Sequence, residues 1–220
     1  MTQTKERTMT NRLVLYFVGL FIMTVGIAIS VKSDLGVSPV SSIPYTLTRC
    51  WGIEMGKATI LFHAALVALQ WVILRRNFPL KSLLQVPVGI VFGYFTTFCN
   101  YLMTFLPPVD NLPVRIGMIL ISAGLIAFGI FLYMPADIVP LAGEGTMKAI
   151  ADTTGIDFAR VKIGFDVSMV MISLVTCLIV IHSIGSVGIG TLIAMFLVGI
   201  ILGQINKLHA RILRRRALEE

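Results

Sequence analysis

Charge is scarce in this chain: 13% of its 220 residues are Asp, Glu, Lys or Arg, and only 11 are acidic. Soluble domains carry about a quarter charged residues, so an ordinary water-facing surface is excluded. Cysteine is nearly missing too. Cys50, Cys99 and Cys177 stand without motif spacing in mostly apolar sequence, which predicts buried structural thiols rather than a disulfide framework or a metal site. Also absent are a GxxxxGK[ST] phosphate loop, an HExxH helix, paired Cys motifs, and a Ser with spaced His and Asp. ATP-driven transport by this chain alone is thereby excluded. No catalytic residue and no cofactor is expected, and the chain is not read as an enzyme.

What is present is apolar. Hydrophobic residues make up 56% of the chain and the mean hydropathy is +0.90. Long apolar runs cover residues 13–31, 58–74, 83–106, 114–134, 161–181 and 187–205. At about 1.5 Å rise per residue, each can cross a hydrocarbon core of about 30 Å as a helix. The expected class is an all-α membrane protein with six transmembrane helices. Ala28-Ile29-Ser30 imitates a signal-peptidase site, but its run is longer than a usual h-region and is read as a retained span.

The net charge of +7 does not indicate nucleic acid, because the basic residues are segregated. Lys5, Arg7, Arg12, Arg75, Arg76, Lys81, Lys207, Arg211, Arg214, Arg215 and Arg216 share one side if both termini are cytoplasmic, whereas Arg115 is alone in the two loops left for the other; the segments after the first and fourth spans add three bases each and do not decide it. This positive-inside pattern predicts cytoplasmic termini, with RILRRR against anionic lipid.

Sliding the sequence against itself by 103 residues superposes Gly26-Ile27 on Gly129-Ile130 and Asp34 on Asp137. Further on, Gly52-Ile53-Glu54 meets Gly155-Ile156-Asp157, and Lys57 meets Arg160. Such an ordered set of glycines, acids and bases marks an internal repeat. Each half holds three spans, and because three is odd the halves enter the membrane from opposite faces. The expected architecture is a 3+3 inverted-topology repeat. It divides into an N-terminal tail at 1–12, a repeat at 13–106, an extracytoplasmic linker at 107–113, a second repeat at 114–207 and a basic tail at 208–220.

Between the first two spans of each half lie KSDLGVSPVSSIPYTLTRCWG (32–52) and ADIVPLAGEGTMKAIADTTG (136–155). Ser42 is expected to cap a short helix of nine or ten residues reaching Trp51, with Pro44 in its first turn and Gly52 ending it. Gly145 and Gly155 take the matching places. At about 14 Å these helices would reach half-way across the core. They are read as re-entrant, with amphipathic surface connectors as the alternative.

The runs LGVSP (35–39), GIEMGKATI (52–60), QWVILRR (70–76) and SVGIGTLIAMFLVGIILG (186–203) resemble the YitT/YczE-like family of bacterial integral membrane proteins, over nearly the whole chain. The resemblance implies a six-span protein of the bacterial cytoplasmic membrane and leaves the substrate open. Where relatives often carry Pro-Trp-Asp, this chain has Pro39-Val40-Ser41, so any role of that aromatic and acid does not carry over.

Ionisable groups within spans are functional candidates. Glu144, between two glycines, is the leading one, with Ser38, Ser41, Ser42, Tyr45 and Thr146 supplying hydroxyls for a substrate. Its alternative role is to complement a helix dipole. His63 and Asp166 are equivalent under the shift and, with Glu144, are candidates for proton or ion coupling; a hydrogen bond inside the bundle is the alternative for His63. Asp34 with Lys57, and Asp137 with Arg160, are expected to form structural pairs. Asn100 and Asn206 are read as interhelical or helix-end groups, and Gly89/Gly93 and Gly199/Gly203 as close-packing positions. The expected function is secondary transport of a small polar, zwitterionic or cationic metabolite, with the proton as candidate coupling ion. The competing expectation is a non-transporting accessory or scaffold protein. Partners are the bilayer and a small molecule, with room for a homo-oligomer or a membrane partner.

Overall fold

The computed structural model describes residues 8–219; Lys5 and Arg7, and the side chains of Arg214, Arg215 and Arg216, lie outside the described residues. The chain folds as α1 (Met9–Ser33), α2 (Pro39–Trp51), α3 (Met55–Leu74), α4 (Gln85–Thr104), α5 (Leu112–Tyr133), α6 (Ala142–Thr154), α7 (Phe158–Ile181) and α8 (Ile189–Glu219). Six helices are long and apolar enough to cross a membrane, one for each apolar run; the runs 83–106 and 187–205 each overshoot a helix end by two residues. Within the described residues the structure is all-helical.

The shared residues of the two halves mark the same backbone events. Asp34 and Asp137 end the first long helix of each half, both in the left-handed conformation (φ 51° and 49°). Gly52 and Gly155 end the short helices at φ 68° and 72°, where a Cβ would be strained. Glu54 then caps α3, its carboxylate accepting from the N–H groups of Gly56 (2.8 Å) and Lys57 (3.0 Å). Asp157 caps α7 through the N–H of Ala159 (3.0 Å). Side-chain caps of this kind satisfy donors that the first helical turn leaves open.

Both short helices start earlier than expected and have 13 residues, about 20 Å by helical rise. α2 begins at Pro39, whose ring suits the first helical position. Ser42 is therefore inside the helix and donates back to Pro39 O (2.6 Å) instead of capping. Pro44 also lies inside, with no N–H to give to Val40 O. α6 begins at Ala142, which places Gly145 and Glu144 in its first turn rather than before it.

The expected ion pairs are also different. Asp34 pairs with Arg49 (3.4 Å) and Arg115 (3.3 Å), not Lys57, because α2 returns Arg49 to the end of α1. Among the described residues neither Lys57 nor Arg160 forms a salt bridge; both are exposed at helix starts beside the capping acids Glu54 and Asp157.

α1 and α5 cross at the centre, with α4 packed on α1 and α8 on α5. The crossing is set by small residues. A Cβ on Gly19 would stand 2.7 Å from Gly129 O, and one on Gly26 would stand 3.0 Å from Ser122 O. Each short helix packs on both second spans, α2 along α7 and α3, and α6 along α3 and α7. The glycine pairs of α4 and α8 behave unlike one another. Gly89 and Gly93 fit against His63 and Ile60 of α3, whereas a Cβ on Gly199 or Gly203 would meet nothing within 4 Å. Accordingly α3 and α4 pack along each other, while α7 and α8 scarcely touch among the described residues.

Candidate functional site

Two arginines fasten the ends of the central helices reciprocally. Arg12 of α1 donates through Nε and Nη2 to Ala136 O (2.9 and 2.7 Å) and through Nη2 to Asp137 O (3.1 Å). Arg115 of α5 donates to Ser33 O and to Asp34 O (2.7 Å at the latter). Arg12 and Arg115 are themselves 103 apart, as are Ser33 and Ala136. The sequence reading counted both arginines only as charges, although the same shift aligns them.

The motif runs LGVSP and SVGIGT meet in space. Gly190 N–H donates to Leu35 O (2.8 Å) at the start of α8, and Thr191 Oγ1 accepts from Gly188 N–H (3.2 Å). Gly36 has φ 102°, and a Cβ there would lie 2.5 Å from Thr191 Oγ1. Its glycine is required by backbone conformation and by space alike.

These fixed ends frame a cavity of about 190 Å³ reached by both short helices. α2 contributes Ser38 and Ser41 at its beginning, and α6 contributes Glu144 from its first turn. α3 contributes Thr59 and His63, and α7 contributes Lys162 and Asp166 at positions 103 further on. His63 is buried and stacked on Phe92, with ring centroids 5.5 Å apart. Asp166 Oδ2 accepts from Lys162 Nζ at 2.5 Å. His63 Nδ1 and Asp166 Oδ1 are buried without a hydrogen-bond partner. Glu144 forms neither a hydrogen bond nor an ion pair among the described residues; the Tyr133 hydroxyl is near its carboxylate but falls short of hydrogen-bond geometry. Buried polar groups left open in this way are costly unless something else meets them.

The structure thus gathers Ser38, Ser41, His63, Glu144 and Asp166 around one space, and assigns other surroundings to the remaining candidates. Ser42 accepts from Ser173 Oγ (2.9 Å), joining α2 to α7. Thr146 accepts from the buried Gln70, which also donates to Gln85 Oε1 (2.8 Å). Gly145 is where these two glutamines press on α6: a Cβ would lie 2.5 Å from the Gln85 amide. Tyr45 faces a second, more open cavity of about 620 Å³ beside Asp34, Arg49, Glu54 and Asn100. Met55 lines both cavities and is the single residue common to them. Asn100 donates within its own helix to Thr96 O (2.9 Å), and Asn206 is exposed on α8. Cys99 and Cys177 are buried; Cys50 is half-buried, with its Sγ 3.9 Å from that of Cys177.

Six membrane-length helices with a mainly apolar core, in which His63, Gln70, Gln85 and Asp166 are also buried, define a multi-pass helical membrane protein. The chain belongs to the family of unknown function DUF6198, which matches residues 10–207. It is similar to the uncharacterized membrane protein YczE of Bacillus subtilis (strain 168), with 25% identity over 198 residues, 90% of this chain and 86% of YczE. No solved structure matches the chain.

Proposed function

We propose that this protein is a secondary transporter of the bacterial cytoplasmic membrane, built as a 3+3 inverted repeat with α2 and α6 as re-entrant helices and both termini cytoplasmic. The observation that carries the reading is reciprocity. Arg12 holds the turn after α5 as Arg115 holds the turn after α1, and the Gly19–Gly129 contact has its counterpart in Ser122–Gly26. Contacts exchanged between halves in this manner are what a two-fold axis in the membrane plane produces. The orientation is supported by Arg75, Arg76 and Lys81 between α3 and α4, and by Lys207 and Arg211 toward the end of α8.

The two cavities then lie at different depths. The larger is an outer vestibule, closed inward by Met55. The smaller is the binding site, at the midplane and toward the cytoplasm, where Glu144, Ser38 and Ser41 contact a cationic or zwitterionic solute, and where His63 and Asp166 are positioned to exchange a proton. Met55 is buried, but its partner at the 103 shift, Phe158, is 43% exposed at the inner mouth. That difference supports an inward-facing state. The protein acts on its solute by moving it, not by chemistry.

The test is uptake into proteoliposomes of a solute first found by thermal stabilisation of the purified protein against a metabolite panel. Glu144→Gln is expected to abolish uptake while leaving folded protein. Normal uptake by that variant would remove Glu144 from the site. Absence of uptake for every stabilising solute, together with a co-purifying membrane partner, would favour an accessory role.

A further inference from the structure

The two second-span/third-span seams differ, and the difference exposes the site sideways. α3 and α4 are closed on each other through Gly89 and Gly93. α7 and α8 are not, and the cavity reaches into the space between them. Lys162 and Asp166 stand on one side of this space, and Met195, Gly199 and Leu202 on the other. A Cβ on Gly199 would touch nothing, while Ile163 of α7 and Phe196 of α8 are exposed on the flanking surfaces. At membrane depth such an opening faces acyl chains rather than water.

The walls and the charges together select a kind of ligand. The lining is mostly apolar, with methionines 23, 55, 134, 147 and 195 giving deformable thioether surface. Its charged groups are Glu144, Asp166 and Lys162, and Lys162 is already paired with Asp166. That leaves the Glu144 carboxylate as the charged group of the lining without an ion-pair partner among the described residues, with the Tyr133 hydroxyl near it and the Lys162 charge felt there. An ionised carboxylate in such a place is costly, and a cation removes the cost.

Resting on the transporter reading above, we propose that the ligand is an amphiphilic organic monocation, an ammonium-type head on an apolar body, which reaches the site from the bilayer through the α7–α8 opening. The head sits at Glu144 with Ser38 and Ser41 beside it. The apolar body lies along the methionine wall toward Gly199. A wholly polar solute would leave that wall uncovered, and an anion would meet Glu144 with like charge.

The experiment uses full-length protein in phosphatidylcholine nanodiscs, with empty nanodiscs subtracted, and titrates tetramethylammonium, butyltrimethylammonium, hexyltrimethylammonium and hexanesulfonate. Affinity is expected to rise about fourfold for each methylene buried, hexanesulfonate is expected not to bind, and Glu144→Gln is expected to weaken hexyltrimethylammonium tenfold or more. Gly199→Trp, placed where a Cβ meets nothing within 4 Å, is expected to keep its melting temperature and lose the long-chain ligand. Equal affinity across the ammonium series, equal binding of the sulfonate, or an unaltered Gly199→Trp overturns the proposal. Flux in proteoliposomes separates it from the reading on which it rests. Glu144-dependent, chain-length-dependent binding without flux would refute the transporter and leave the ligand class; flux of small polar cations without a chain-length gain would refute the ligand class and leave the transporter.

Discussion

Gly19→Ala tests the central crossing most directly. A methyl group at residue 19 would be 2.7 Å from Gly129 O and 2.8 Å from Tyr133 N, both backbone atoms of α5 that cannot rotate away. To reach ordinary contact α1 and α5 must part by roughly 0.7 Å, and a gap of this order forfeits a quarter to a half of the dispersion energy of the atom pairs it separates. Overpacking of this sort costs about 1–3 kcal/mol. Alanine returns about 1 kcal/mol of helix propensity over glycine, so the net loss is about 0–2 kcal/mol. Gly199→Ala has the same propensity gain and no neighbour within 4 Å, so it is expected to be neutral or slightly stabilising. Thermal unfolding of both variants in the same detergent should separate them by several degrees, at roughly 2–4 °C per kcal/mol for a chain of this size. If the two variants melt together, the close approach of α1 and α5 is wrong, and with it the reciprocity on which the transporter reading rests.

Two further outcomes follow from contacts already described. Cys50 and Cys177 join α2 to α7 with thiols 3.9 Å apart, so a mild oxidant should give an intramolecular disulfide, seen by peptide mass mapping, with Cys99 left free. Only an unlinked pair or a Cys99-linked product would displace α2 from α7. Arg115→Met removes donors to Ser33 O and Asp34 O and one partner of the Asp34 carboxylate. A loss of about 1.5–3 kcal/mol is expected for charged hydrogen bonds of this kind, seen as a lowered melting temperature; an unchanged value would mean the clamp does not hold the turn.

The spans could be read from the sequence because in a bilayer length and apolarity alone decide them: each apolar run matches one helix of the structure, with two runs overshooting a helix end by two residues. The acids and glycines of the repeat were legible for a related reason, since Gly52, Gly155, Glu54 and Asp157 act through local backbone geometry. The start of α2 was misread because Ser42 and Pro39 both signal a helix start, and the proline, with its fixed φ, takes the first position. Partner choice was not legible. Asp34 is equally plausible beside Lys57 or Arg49 until α2 folds back, and the glycine pairs of α4 and α8 look alike although only one meets a neighbouring helix. Periodicity describes a helix face; what it faces depends on the rest of the fold.

Because Met55 lines both cavities, the partition between them is one side chain thick at that residue. Methionine is unbranched, with three rotatable bonds, so the opening of such a partition is a rotamer equilibrium before it is a movement of helices. Thinness does not make it leaky. An apolar constriction excludes water and ions by dewetting, whatever its mechanical softness. On the proposed transporter reading, the impermeability of the path thus depends on the polarity of one thioether more than on its size, and a polar residue of equal volume at position 55 is expected to wet the constriction without moving a helix.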